Sequence, residues 1–305
     1  MMKRPFFGFI FLISTLNFGQ ATKLFFVKEN DSTMSVQDSK NKVIIPPFRI
    51  LWEPYKEKEE IKTDLILIQE NMIDYKIYDR EGKFLFTPTI FDYRVVFSEG
   101  HVAFEEKGKQ GLANKEGKIA IPAEYDYMGF LTNGIVDACK GCYFDRKVDP
   151  EHPPLVSGTW FQLDKNGNIL DTKQYPEKLK SNLDHQFKYT EKEAEILKKI
   201  GSYKSKIADK IKQPKDDMKF EIVYPPTKYE PYYYIKLYNK YSNYWHSTFD
   251  DETEDNFYYD PKTDTFYGQY EVTKILKKNG EDYYDTRVKK QPIEKWLKNK
   301  DVHSN

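Results

Sequence analysis

Residues 98–138 read SEGHVAFEEKGKQGLANKEGKIAIPAEYDYMGFLTNGIVDA, and the fold is decided in this stretch. A short apolar segment ending at Asn114 is followed by Lys115-Glu116, then Gly117, then a second apolar segment that reaches Pro122. Such a unit is a two-stranded hairpin. The glycine supplies positive φ at the turn without steric cost, and its charged neighbours keep the tip in water. Proline cannot donate to a ladder, so it marks where the second strand leaves the sheet. One hairpin cannot bury a face by itself, so neighbouring hairpins must stack on a common core.

The same grammar recurs on both sides. Residues 75–93, YKIYDREGKFLFTPTIFDY, and residues 160–170, WFQLDKNGNIL, place Gly82 and Gly167 where Gly117 stands. The glycines are 35 and 50 residues apart. Pro88 and Pro122 end the second strands of the first two units, and Phe91-Asp92-Tyr93 and Tyr125-Asp126-Tyr127 follow them. An earlier stretch, KVIIPPF at 42–48, reads as the second strand of a degenerate preceding unit. An all-β, quasi-repetitive array over 42–175 is therefore expected.

Residues 98–138 resemble the WG-repeat family, also written KWG. Its units run as acidic-Gly-small-apolar, Gly-Lys-Trp-Gly, a strand, Asp-Lys-x-Gly-Lys, a strand, then Pro and Tyr-Asp. The matching positions are Glu99-Gly100, Val102-Ala103, Gly108-Lys109, Gly111, Lys115, Gly117-Lys118, Pro122 and Tyr125-Asp126. Gln110 stands where the signature tryptophan would be; in the third unit Trp160 occupies that place but Phe161 follows it instead of glycine. The resemblance covers less than half of the chain. It implies a scaffold or binding surface, often in exported or surface proteins, and no particular activity.

The composition sets outer limits. Of 305 residues, 48 are Lys or Arg and 48 Asp or Glu, and only six of the basic residues are Arg. A neutral, arginine-poor chain gives no electrostatic case for a nucleic-acid partner. Lys3-Arg4, the apolar run Phe6–Leu16 and Gly19-Gln20-Ala21 have the layout of a cleavable secretory signal over 1–21. Cleavage leaves 46 basic against 48 acidic residues. No cysteine follows the apolar run to serve as a lipoprotein anchor, and no apolar run reaches the ~20 residues of a spanning helix, so the mature chain is expected to lack one. The expected location is secreted, periplasmic or at the cell surface of a bacterial envelope. Residues 22–41, including the polar run KENDSTMSVQDSKN, read as a flexible leader.

Cys139 and Cys142 align around Lys140-Gly141 as the turn at Lys107-Gly108 does, which would set them opposite each other across a two-residue turn. In an oxidising compartment this favours a local disulfide. Free thiols, a metal knuckle with His152 and a thioredoxin-type redox pair are the alternatives; the knuckle counts only three ligands nearby, and the redox pair would need a helix where a strand precedes it. Residues 143–158 form a proline-rich insertion before the third unit.

After about residue 176 the pattern changes to an α+β domain. Thr190 and Glu193 form a capping box, and Ile196, Leu197, Ile200, Tyr203, Ile207 and Ile211 fall at the spacing of one long helix closed by Pro214. Strands are expected at 218–224, 232–239, 256–260, 264–270 and 282–288, with Asn279-Gly280 as a turn and a short helix near 292–299 buried through Trp296 and Leu297. The domain reads as a helix followed by an antiparallel meander.

Seventeen of the 24 tyrosines lie after residue 174. Half-buried sheet positions account for many of them. A sharper reading makes Tyr232, Tyr234, Tyr238, Trp245, Tyr258 and Tyr267, with His246 alongside, an aromatic platform for a glycan or peptide. The acidic run at 250–255 lacks the glycine and alternation of a calcium loop and reads as a solvated face. There is no Gly-x-Ser-x-Gly elbow, no His-Glu-x-x-His and no phosphate loop, and the five histidines are scattered. No cofactor, metal site or catalytic residue is assigned. The expectation is an exported, non-catalytic binding or scaffold protein that contacts an envelope or extracellular protein or glycan. The alternative is a small envelope-glycan or peptide hydrolase with its site in the C-terminal domain.

Overall fold

The computed structural model describes residues 22–50, 57–177, 179, 186–239, 256–278 and 281–299. The chain begins with β1 (Leu24–Asn30), β2 (Thr33–Asp38), β3 (Val43–Arg49) and β4 (Lys58–Ile61), an antiparallel sheet in the order β3-β2-β1-β4. Residues 22–41, expected as a flexible leader, thus contain two of its strands. The polar run misleads because Met34 and Val36 punctuate it at sheet positions, and Leu24 and Val36 are fully buried.

β5 (Ile66–Gln69), β6 (Tyr75–Tyr78), β7 (Phe84–Pro88), β8 (His101–Glu106), β9 (Lys109–Asn114) and β10 (Ile119–Tyr125) follow as a six-stranded meander. A third sheet is built from β11 (Tyr127–Met128), β12 (Ile135–Lys140), β15 (Thr159–Asp164) and β16 (Ile169–Gln174). A small hairpin, β13 (Tyr143–Phe144) with β14 (Leu155–Val156), stands outside it.

One turn design closes the repeated hairpins. Asn114 Oδ1 accepts from the Glu116 and Lys118 backbone N–H groups, and Asp79 and Asp164 do the same for residues 81 and 83, and 166 and 168. Asp38 repeats it for Lys40 and Lys42, with Asn41 at φ 63° in the glycine's place. The degenerate first unit is therefore real, and asparagine, which tolerates positive φ, had hidden it. Pro122 does not end its strand. It lies within β10, at an irregularity in the pairing, and β10 is an edge strand whose outward N–H positions have no ladder to serve.

Adjoining sheets share their cores, as hairpins that cannot fold alone require. Ile66 and Ile68 of the six-stranded sheet complete the core of the first sheet, and Leu112 and Ile121 join Val136, Ala138 and Leu163 of the third.

The C-terminal part opens with α1 (Glu191–Gly201) and α2 (Lys204–Ile211). The Thr190–Glu193 capping box is present. The single long helix expected is broken at Gly201-Ser202: Gly has poor helix propensity, and the Ser202 hydroxyl turns back to the Lys199 carbonyl at 2.7 Å. β17 (Met218–Tyr224), β18 (Tyr233–Asn239), β19 (Asn256–Asp260), β20 (Thr265–Lys278) and β21 (Glu281–Pro292) form a five-stranded antiparallel meander, followed by α3 (Ile293–Lys298). One face carries Ile222, Ile235, Leu237 and Phe257 against Ile196, Ile200 and Ile207 of the helices, and Trp296 of α3 seals it. Tyr233, Tyr259 and Tyr270 also lie on this face, and the opposite face carries Tyr224, Tyr234, Tyr238 and Tyr258. Among the described residues no helix is long and apolar enough to cross a membrane.

Candidate functional site

Strand pairing sets four tyrosines in one row across the C-terminal sheet: Tyr224 beside Tyr234, Tyr234 beside Tyr258, and Tyr258 beside Tyr267. Alternation then puts Tyr232, Tyr234, Lys236 and Tyr238 of one chain segment on that same face. This face meets the repeat array. The Tyr224 ring lies edge-on to His101 at 5.6 Å, Lys115 sits 4.8 Å above it, and its hydroxyl donates to Glu116 at 3.3 Å. Gly100, at φ 71°, leaves room for the ring: a Cβ there would stand 2.5 Å from Tyr224 Cδ2. Further along, the Arg80 guanidinium covers the Tyr229 ring at 3.9 Å, and the Thr227 hydroxyl bonds Asp64.

Tyr234 and Tyr238 are consequently buried in the seam between array and sheet, and are not part of an open platform. The sequence pattern identified their face but not what covers it. Tyr232, Tyr258 and Tyr267 are only half-buried, and they surround a lysine: Lys290 lies 3.8 Å from the Tyr258 centroid and 4.9 Å from that of Tyr232. Although the residue as a whole is exposed, desolvation against these rings lowers the Lys290 ammonium to about 8. Trp245, His246 and the acidic run at 250–255 lie outside the described residues.

Glu99 is the polar centre of the seam and was not singled out by sequence reasoning. Only 1% exposed, its carboxylate accepts from the backbone N–H groups of Asn133 and, at 2.9 Å, Gly134, and from the Tyr238 hydroxyl. Glu99-Gly100 and Asn133-Gly134 are the same turn in successive units, each with both central residues at positive φ. One unit therefore holds the next through a charge-assisted bond to its turn. The signal was present in the sequence, in the recurrence of an x-Gly pair before β8 and β12. Glu221 lies close by, and its burial together with the Glu99 charge raises its carboxyl to about 8. Lys219 contacts Glu221, but burial holds that ammonium below its ordinary range too, so it is a weak counter-charge.

The second notable region grows from the third unit. In the second unit β8 and β9 are joined by Lys107-Gly108; in the third, β12 and β15 pair in the same way, from Ile135 opposite Asp164 to Lys140 opposite Thr159. Residues 141–158 replace that two-residue turn with an arm carrying β13 and β14. Its root is tied on several sides. Asp126 of the Tyr-Asp motif accepts from the Gly141 N–H at 2.7 Å, Trp160 Nε1 donates to the Ser157 carbonyl at 3.1 Å, and Tyr175 N–H reaches Gly158 at 3.1 Å. Cys139 and Cys142 are joined as a disulfide where the arm leaves β12, with Cα atoms 6.1 Å apart. Tyr143 (57% exposed), Phe144 (53%) and Val148 (70%) point into solvent from this tethered arm. In oxidised protein, both cysteines are expected to resist alkylation until a reductant is added and then to take up two alkyl groups, which intact mass reads directly. Among the described residues no group of three His, Cys, Asp or Glu side chains is placed to hold a metal ion.

A family model described as WG containing repeat matches residues 111–141, which run from β9 to the root of the arm. The array carries a WG repeat. Just before the matched residues, Gln110 Oε1 accepts from Met128 N–H at 2.8 Å and so links β9 to β11. No curated protein matches the chain. A solved structure titled "Crystal structure of the eukaryotic initiation factor" aligns with 90% of this chain at 8% identity and a TM-score of 0.20, and the chain spans 49% of it; likeness at that level carries nothing about fold or function.

Proposed function

We propose that the protein is an exported, non-catalytic binding protein of the cell envelope, with the WG array as its rigid scaffold and the arm at 141–158 as its contact element toward a protein or glycan. The carrying observation is the exposure of Tyr143, Phe144 and Val148 on a hairpin whose root is fixed by a disulfide, a carboxylate and a tryptophan. Neighbouring apolar side chains kept in water on a pre-organised element are the usual anchor of an interface, because little entropy remains to be lost on binding. The signal-like layout at Lys3-Arg4, Phe6–Leu16 and Ala21, and the paired cysteines, support export.

The protein's second unit supplies the blueprint for the test. Residues 141–158 are replaced by a Lys-Gly turn like that at 107–108, with Cys139→Ala, and the mature chain and the variant are used as baits against the native envelope fraction. The variant is expected to melt within a few degrees of the parent yet to retain at least tenfold less of the partner, identified by mass spectrometry as protein or sugar. Equal capture by both baits would remove the arm from the contact surface.

A further inference from the structure

A cavity of about 360 Å³ opens where the first sheet, the six-stranded sheet and the C-terminal sheet meet. Its walls come from all three: Phe26 of β1, Ile66 of β5, Ile77 of β6, Phe97 of the segment before β8, and the stacked rings of Tyr234 and Tyr258, whose centroids are 5.3 Å apart at an interplanar angle of 17°. Lys115 and Glu230 form its polar end.

The volume falls near the lower end of small-molecule sites, ~300–1,000 Å³. It is more than twice the ~150 Å³ of an apolar cavity that takes up one benzene. A two-ring molecule or an acyl chain of similar bulk therefore fits.

Charge decides the rest. Every ionic group facing the polar end has an internal partner. Lys115 Nζ lies 3.5 Å from Glu230 and over the Tyr224 ring; Glu116 accepts from the Tyr224 hydroxyl; Asp64 is bonded by Thr227; Lys290 is capped by the Tyr258 and Tyr232 rings. Three carboxylates stand against two ammonium groups and the Arg80 guanidinium, which covers the Tyr229 ring and donates to the Ile61 and Thr63 carbonyls, so no surplus cation waits for an anionic head group. A charged ligand would have to break one of these pairings while losing its own hydration. An uncharged one loses only unfavourable contact with water and still finds the Glu230 carboxylate for one hydroxyl.

We infer that this seam cavity binds an uncharged hydrophobic small molecule of about two-ring size, a site separate from the arm and independent of its partner. Because three sheets line it, an occupant touches the array and the C-terminal sheet at once. Occupancy therefore stabilises the seam by mass action.

Two probes with the same aromatic body test the inference: N-phenyl-1-naphthylamine, which is neutral, and 1-anilinonaphthalene-8-sulfonate, which carries one negative charge. The full mature chain is expected to bind the neutral probe saturably at one site, with enhanced, blue-shifted fluorescence and a raised melting temperature, and to bind the sulfonate at least tenfold more weakly. Val95 lines the cavity from a half-buried position outside the strands. Val95→Trp is expected to fill the space and weaken the neutral probe at least tenfold. Val95→Phe serves as the milder filler, with each variant's melt confirming that it folds. Sulfonate binding as tight as the neutral probe overturns the uncharged class. Unchanged binding by both folded variants overturns the location, and absence of binding by the parent overturns the site.

Discussion

Glu99→Ala should lower the stability of the protein by ~4 kcal/mol, with a fall in melting temperature of about 10 °C. Alanine removes the buried carboxylate that accepts from the Asn133 and Gly134 N–H groups and from the Tyr238 hydroxyl. Each buried donor left without an acceptor costs about 1–3 kcal/mol. Glu99→Gln keeps an acceptor at one position and turns a donor toward the other, so about half the loss is expected. Tyr238→Phe leaves the carboxylate in place and removes the hydroxyl that bonds it and accepts from Asn133 N–H at 3.3 Å, and should cost ~1 kcal/mol. Urea melts of the three variants separate the contributions. If Glu99→Ala proved no worse than Tyr238→Phe, the bond between successive units would carry no weight.

A second large effect concerns pH, because two buried groups at the seam titrate in opposite senses. His101 is buried, with Nδ1 2.9 Å from the Glu99 carbonyl oxygen, and burial lowers its imidazole from 6.5 to about 4. The folded state holds it neutral while the unfolded chain protonates below 6.5. Its contribution is thus complete above pH 6.5 and is lost as pH falls toward 4. Glu221 runs the other way: its folded value of about 8 exceeds the unfolded 4.5, so its contribution is complete below pH 4.5 and is lost as pH rises through 8. Between 4.5 and 6.5 the two slopes oppose each other, and from 6.5 to 8 Glu221 acts alone. Stability is expected to peak between about pH 5 and 6 and to decline toward 8. Glu221→Gln, a mimic of the neutral form, should flatten the decline and leave the variant more stable than the parent at pH 8 by on the order of 1–3 kcal/mol. Denaturant midpoints at half-unit steps for parent and variant decide it; a parent curve still rising from pH 6 to 8 would refute the assignment.

The hairpin grammar of the array was legible because its turns need particular residues. Gly82, Gly117 and Gly167 mark positions where positive φ is required, and the C-terminal meander showed through its alternation and turn chemistry. Of the first sheet only the strand at 42–48 was legible, because Asn41 performs the glycine's task and a polar surface strand looks like a linker. The expected aromatic platform would need open rings, whereas Tyr234 and Tyr238 are buried. Alternation tells which residues lie together, whereas burial depends on a partner surface 100 or more residues away, as in the contact of Tyr238 with Glu99. Glu221 and Lys236 escaped notice for the same reason, since a charge in a strand reads as solvated until the opposing surface is known.

The bond from Glu99 to the following unit also defines a direction. The second unit offers the acid and the third receives it at its turn, where Asn133 stands in the position of Glu99. An amide has no carboxylate to hand on, and the chain turns to helix soon after. Lengthening this array by grafting on a further unit through the same bond would call for Asn133→Glu first.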